Sequence, residues 1–219
     1  DRDTADAVAD LRVGLQRNVQ NLRALQAEPG GSAQWGARAR EQLRAHREWL
    51  RLEWRDPGMR LLAAADTPYR GQLFDKAGRA STDQPDVTLA SPSAPKLNGA
   101  AYSPSHFVAL AEGGGLEVAE MCLPLAGGGF LVAAYSLRDT LIELVTPSLR
   151  RGQEVALVEV DGTRLAAVGA QRRRGTRVFS SQQMIDLPGL AVMLRIDGWR
   201  AEPDLFPNVL TGLVTFISI

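Results

Sequence analysis

The side chains best able to hold a small anion lie in and around one long segment, residues 65–114. Lys96 is followed closely by Tyr102, Ser103, Ser105 and His106. Tyr69 and Arg70 stand at the start of the segment, and Tyr135 follows it. Hydroxyl, imidazole, ammonium and guanidinium groups are all hydrogen-bond donors. A carboxylate taken out of water needs several fixed donors and a cation, because an unpaired buried charge costs several kcal/mol. Each of these residues also has a plainer use. Tyr102 and Phe107 suit a core, His106 an internal hydrogen bond, and Lys96 a solvated surface. Arginine is the favoured fork-shaped partner of a carboxylate, yet residues 80–137 contain none. Recognition then rests on Lys96, hydroxyls and backbone N–H groups, or on Arg60, Arg70 or Arg79.

Catalytic patterns are missing. The sequence has no nucleophile elbow, no zinc-protease His pair, no phosphate loop and no dinucleotide glycine fingerprint after a strand. Gly113–Gly115 and Gly127–Gly129 read as turns. Ser105 and His106 adjoin each other without an oriented acid, so a hydrolytic site is not expected. One cysteine (Cys122) and two histidines (His46, His106) exclude an internal disulfide and argue against a metal site. Cys122 falls in an expected strand and reads as a small buried apolar residue. No cofactor is expected. Lys+Arg and Asp+Glu are both 25, so a general nucleic-acid binder is not expected either. Any charged ligand must be met by a local cluster. The run Arg172–Arg174 reads as a solvated loop, or as a contact for anionic lipid headgroups.

The elements that position these residues follow from periodicity. Val8, Leu11, Leu15, Val19, Leu22 and Leu25 recur at spacings of three and four, which predicts a long first helix ended by Pro29-Gly30-Gly31. Its stripe suits core packing or a dimer contact. A second helix is expected over 33–50. Alternation in Leu50–Trp54, the turn Asp56-Pro57-Gly58 and Arg60–Ala64 predict a β-hairpin. A similar phrase returns about 105 positions later as Leu157–Val160, Asp161-Gly162 and Thr163–Ala167. Further hairpins are expected at 115–136 and 176–197, and a helix over 137–149. The chain therefore reads as two unequal copies of an antiparallel module. A long insertion in the first copy is the expected place for a binding site.

This arrangement resembles the periplasmic sensor regions of bacterial sensor histidine kinases, of the double Cache (tandem PAS-like) type. Leu52-Glu53-Trp54-Arg55-Asp56, Pro68, Ala101–Phe107, Leu123-Pro124-Leu125 and Tyr135-Ser136-Leu137 are similar to the C4-dicarboxylate-sensing members. The resemblance implies an α+β fold with these parts: residues 1–30 as a stalk or dimer helix, 31–149 as a membrane-distal ligand-binding module, 150–200 as a membrane-proximal module, and 201–219 leading into a membrane helix. It implies a small-carboxylate ligand, with a C4-dicarboxylate as the family's example, held by the residues named above. It also implies a non-enzymatic chain at the periplasmic face of the inner membrane, and a homodimeric parent kinase that signals to a response regulator. The lack of a methionine before Met59 and the apolar run Val209–Ile219 are expected marks of a segment between two membrane helices. Two rivals remain open. One is the sensor domain of a chemoreceptor or another transmembrane signalling protein with a different ligand. The other is a periplasmic partner-binding domain without a ligand.

Overall fold

The computed structural model describes residues 2–27, 31–70, 73, 99–110, 113–169 and 176–200. Lys96, Arg172–Arg174 and the apolar run Val209–Ile219 lie outside the described residues, as does most of the insertion.

Helix α1 (Arg2–Ala27) forms where the three-and-four spacing places it. Its stripe of Ala7, Val8, Leu11, Leu15, Leu22 and Leu25 is buried against the chain's own sheets. Helix α2 (Ser32–Ala45) is shorter than the expected 33–50. His46 leaves helical geometry at its C-cap, with φ −119° and ψ 92°. Trp49 and Leu50 then begin strand β1 (Trp49–Arg55).

The first antiparallel sheet contains β1, β2 (Leu61–Asp66), β3 (Ala101–Tyr102), β4 (His106–Ala109), β5 (Gly115–Pro124) and β6 (Phe130–Ser136). Its order is β2-β1-β6-β5-β3, with β4 also pairing β5. Helix α3 (Leu137–Leu144) follows, capped by the Ser136 hydroxyl, which accepts the Asp139 N–H at 3.2 Å. The helix expected over 137–149 stops early and resumes as a short 3-10 turn, Pro147–Arg150. A residue before proline is driven out of the helical region, so Thr146 breaks the run. The second antiparallel sheet holds β7 (Gln153–Val158), β8 (Arg164–Gly169), β9 (Thr176–Leu187) and β10 (Leu190–Arg200), ordered β8-β7-β10-β9. The expected hairpins thus form, and the fold is α+β with a long N-terminal helix.

One apolar core joins these parts. The inner face of the first sheet presents Leu52, Met121, Leu123, Leu131 and Ala133, and the second sheet presents Val155, Leu157, Val192, Leu194 and Ile196. Both pack in one cluster with α1, which spans the two sheets. Gly14 of α1 meets α3 closely: a Cβ there would lie 2.9 Å from Leu144 Cδ2.

Candidate functional site

Strand alternation decides which side chains share the outer face of the first sheet, opposite α1. Successive residues point to opposite faces, while cross-strand partners point to the same one. The β1–β6 register slips between Trp49 and Arg51. Trp49 therefore stays on the inner face with Tyr135, and Leu50 packs outward with Ala134 and Val118. Arg51, Glu53 and Arg55 then occupy alternate positions on the outer face. All three are buried, at 7%, 3% and 6% exposure.

Glu53 is the centre of this row. Arg51 Nε donates to its Oε1 at 2.7 Å and Arg55 Nε to its Oε2 at 2.7 Å. Arg51 Nη1 also donates to both Asp66 oxygens, at 2.9 and 3.1 Å. Arg55 Nη1 donates to the Met59 carbonyl at 2.7 Å, and Met59 itself takes a left-handed φ of 65°. Burial opposes the charge on Arg51, but Asp66 and Glu53 beside it raise its guanidinium pKa above the usual value.

Ala134 faces Arg51 on one side and Glu120 on the other. Glu120 is 1% exposed. At the spacing of neighbouring strands, the backbones of Arg51 and Glu120 lie roughly 10 Å apart across the Ala134 methyl. The next row sets Val132 between Glu53 and Cys122. Burial pushes the Cys122 thiol up to about 12, which suits a packing role. The outcome is an apolar floor of Ala134, Val132 and Val118, with the Arg51 ion pairs at one end and buried Glu120 at the other. Among the described residues, no group of three His, Cys, Asp or Glu is placed to hold a metal ion.

The residues expected to bind ligand are distributed over several places. Ser103 and His106 reach the outer face: Ser103 lies beside Glu120, and His106 is opposite Val118. The Ser103 hydroxyl accepts the Glu120 N–H at 2.9 Å and donates to the Pro104 carbonyl at 2.9 Å. Ser105, half-buried, precedes β4. Tyr102 and Tyr135 point the other way, into the inner core, with ring centroids 6.4 Å apart. Burial pushes both phenols well above their ordinary pKa. Arg70 donates to Asp139 at the start of α3, at 2.9 Å. The Tyr69 hydroxyl donates to the Arg44 carbonyl at 2.8 Å, with the Arg47 guanidinium over its ring. Neither Tyr69 nor Arg70 joins the row over Ala134. Glu53 and Arg55 entered the sequence reading only within the phrase Leu52–Asp56 that carries the resemblance, and neither they nor Arg51 and Glu120 were expected to bind ligand. The available signal was an Arg-x-Glu-x-Arg alternation on one face of a strand, which usually denotes a solvated face.

Behind this floor, the residues that lead into β1 touch α1 through polar groups. Asn18 Nδ2 donates to Glu48 Oε1 at 2.8 Å, and His46 Nδ1 lies 3.2 Å from the same oxygen. His46 Nε2 is 3.2 Å from Asn21 Nδ2. Trp49 sits edge-on to Tyr135, with centroids 6.3 Å apart.

No protein-family model matches the chain, and no curated protein matches it. Solved structures do. The ligand-binding domain of the amino acid chemoreceptor PctC of Pseudomonas aeruginosa PAO1, in complex with GABA, superposes with a TM-score of 0.52 at 15% identity, covering 89% of this chain and 94% of that one. A domain of a sensory box/GGDEF family protein from Vibrio parahaemolyticus gives 0.52 at 10% identity, covering 91% and 97%. The chain thus shares its fold with sensor domains of the PAS/Cache-like kind.

Proposed function

We propose that this chain is the extracytoplasmic ligand-sensing part of a membrane-spanning sensor histidine kinase. In this reading it binds a small carboxylate of the C4-dicarboxylate class on the outer face of the six-stranded sheet. The observation that carries the proposal is the buried charged row Arg51–Glu53–Arg55 facing Glu120 across the Ala134 floor, in a fold shared with sensor domains. Buried charges are costly for a core and useful for orienting a polar ligand. The six-stranded part would be the membrane-distal module and the four-stranded part the membrane-proximal one. Ligand binding would bias β1 and β6, and α1 would follow through Asn18 and Glu48. The parent would be a homodimer at the periplasmic face of the membrane, passing the signal to a response regulator.

A second reading has its own support. Arg51 and Arg55 already meet Glu53 and Asp66, so each buried guanidinium on the face has a carboxylate beside it. That balance favours a ligand carrying an ammonium as well as a carboxylate, as in a chemoreceptor for amino acids. Calorimetric titration with succinate, malate and fumarate, set against a panel of amino acids including GABA, separates the two readings. Binding of a dicarboxylate supports the first. Binding of amino acids alone replaces it with the second. No binding from either set, with the Glu120→Gln variant indistinguishable from the parent, overturns the ligand reading.

A further inference from the structure

A concavity lies away from the Ala134 floor, where the two sheets meet α1. It encloses about 420 Å³ and is lined by Arg12, Leu15, Gln16 and Val19 of α1, Ala100 and Tyr102 of the first sheet, and Asp186, Leu187 and Pro188 of the second. This volume falls within the range of small-molecule sites, which favour junctions between packed units.

Its walls are held in place. The Tyr102 N–H donates to the Pro188 carbonyl at 2.7 Å, tying the β9–β10 turn to β3. Gly189 in that turn has a φ of +92°, and a Cβ there would run into the Tyr102 carbonyl oxygen. The opposite wall is a regular helix, on which Arg12 and Gln16 are one turn apart and share a face. The floor between the walls is apolar, formed by Leu15, Val19, Leu187 and Pro188.

The charges give the groove its character. Arg12 stands on the helix wall and Asp186 on the turn wall. Both are exposed, and among the described residues neither is held in an ion pair. A cation and an anion that line one groove with an apolar floor, unpaired with one another, complement a molecule with the reverse polarity. We infer that this groove binds a zwitterion of amino-acid size. Its carboxylate meets Arg12, its ammonium meets Asp186, and its aliphatic part lies on Leu15, Val19 and Leu187. Gln16 supplies a further donor or acceptor. Such a ligand bridges α1 and the second sheet, so it adjusts the same helix that the first sheet contacts. The site is separate from the outer face and does not depend on what binds there.

The test is calorimetric titration of the intact chain with alanine, valine and leucine. Isocaproate and isopentylamine, which are leucine without its ammonium or its carboxylate, serve as controls. The expected result is leucine binding tighter than about 1 mM, with each one-charge analogue at least about tenfold weaker. Arg12→Ala and Asp186→Ala should each weaken leucine by a similar factor, and Glu143→Gln, on the exposed side of α3, should leave it unchanged. Both groove residues are exposed, and equal melting temperatures would confirm that the variants fold. Absence of leucine binding overturns the inference, as does binding unaffected by either groove variant. Leucine binding lost only in Glu120→Gln also overturns it, while leaving the outer-face reading standing.

Discussion

Replacing Glu53 by glutamine tests the physical basis of the outer face. The side chain keeps its shape and loses its charge. Glu53 now accepts from both neighbouring arginines, at 2.7 Å each, and is almost fully buried. Glutamine offers one oxygen to two donors, and its amide nitrogen must face a guanidinium N–H. Arg51 retains Asp66, half-exposed at 45%. Arg55 retains the Met59 carbonyl on the turn. Removing one partner of a buried ionic group costs about 3–5 kcal/mol, because the remaining charge is stranded in low dielectric. In urea, a slope near 2–3 kcal/mol/M turns this into a midpoint shift of roughly 1–2 M. Equilibrium unfolding followed by circular dichroism reads it. A companion variant, Arg51→Met, Glu53→Leu and Arg55→Met together, removes all three charges. It should recover most of the loss, since buried ion triads can be replaced by apolar groups at little cost. A loss in Glu53→Gln below about 1 kcal/mol, the level of a surface pair, would refute the reasoning. So would a triple variant no more stable than Glu53→Gln.

Two further outcomes are expected. Burial tends to raise the Glu48 carboxyl, but hydrogen bonds from His46, its own backbone and Asn18 outweigh this and hold it below the reference 4.5. Its contribution to stability is therefore complete above about pH 4.5 and is lost as pH falls through the lowered folded value. The stability gap between the parent and Glu48→Gln, measured by urea unfolding, should shrink on acidification in that window. A gap constant down to strongly acid pH would contradict it. Separately, Gly189→Ala should lower stability by about 1–3 kcal/mol, or several degrees in melting temperature. The turn is forced to positive φ and a methyl meets the Tyr102 carbonyl. An unchanged melting temperature would show that the β9–β10 turn is not clamped to β3.

Periodicity alone carried the element order far. Helix α1, both hairpins of the first sheet and both of the second follow from local patterns of apolar residues and turn signals, which act over a few residues. The errors fell at boundaries. α2 ends at Ala45 because His46 turns out of the helix, and α3 ends before the Thr146-Pro147 pair. The candidate site was much less legible. Tyr102 and Tyr135 look like ligand donors in sequence, yet strand register turns them inward to the core.

What the sequence determined by itself was an α+β chain with balanced charge and no catalytic pattern. Its buried stripe on α1 was set by spacing alone. Only the tertiary structure decided which polar residues would leave water. Arg51, Glu53 and Arg55 carry the alternation of an ordinary exposed strand face. They become a buried ionic row because β1 is paired on both sides, by β2 and β6, and because Glu120 and Ala134 are brought beside it from more than 60 positions away. Alternation specifies a face, but burial of that face depends on what long-range pairing sets around it.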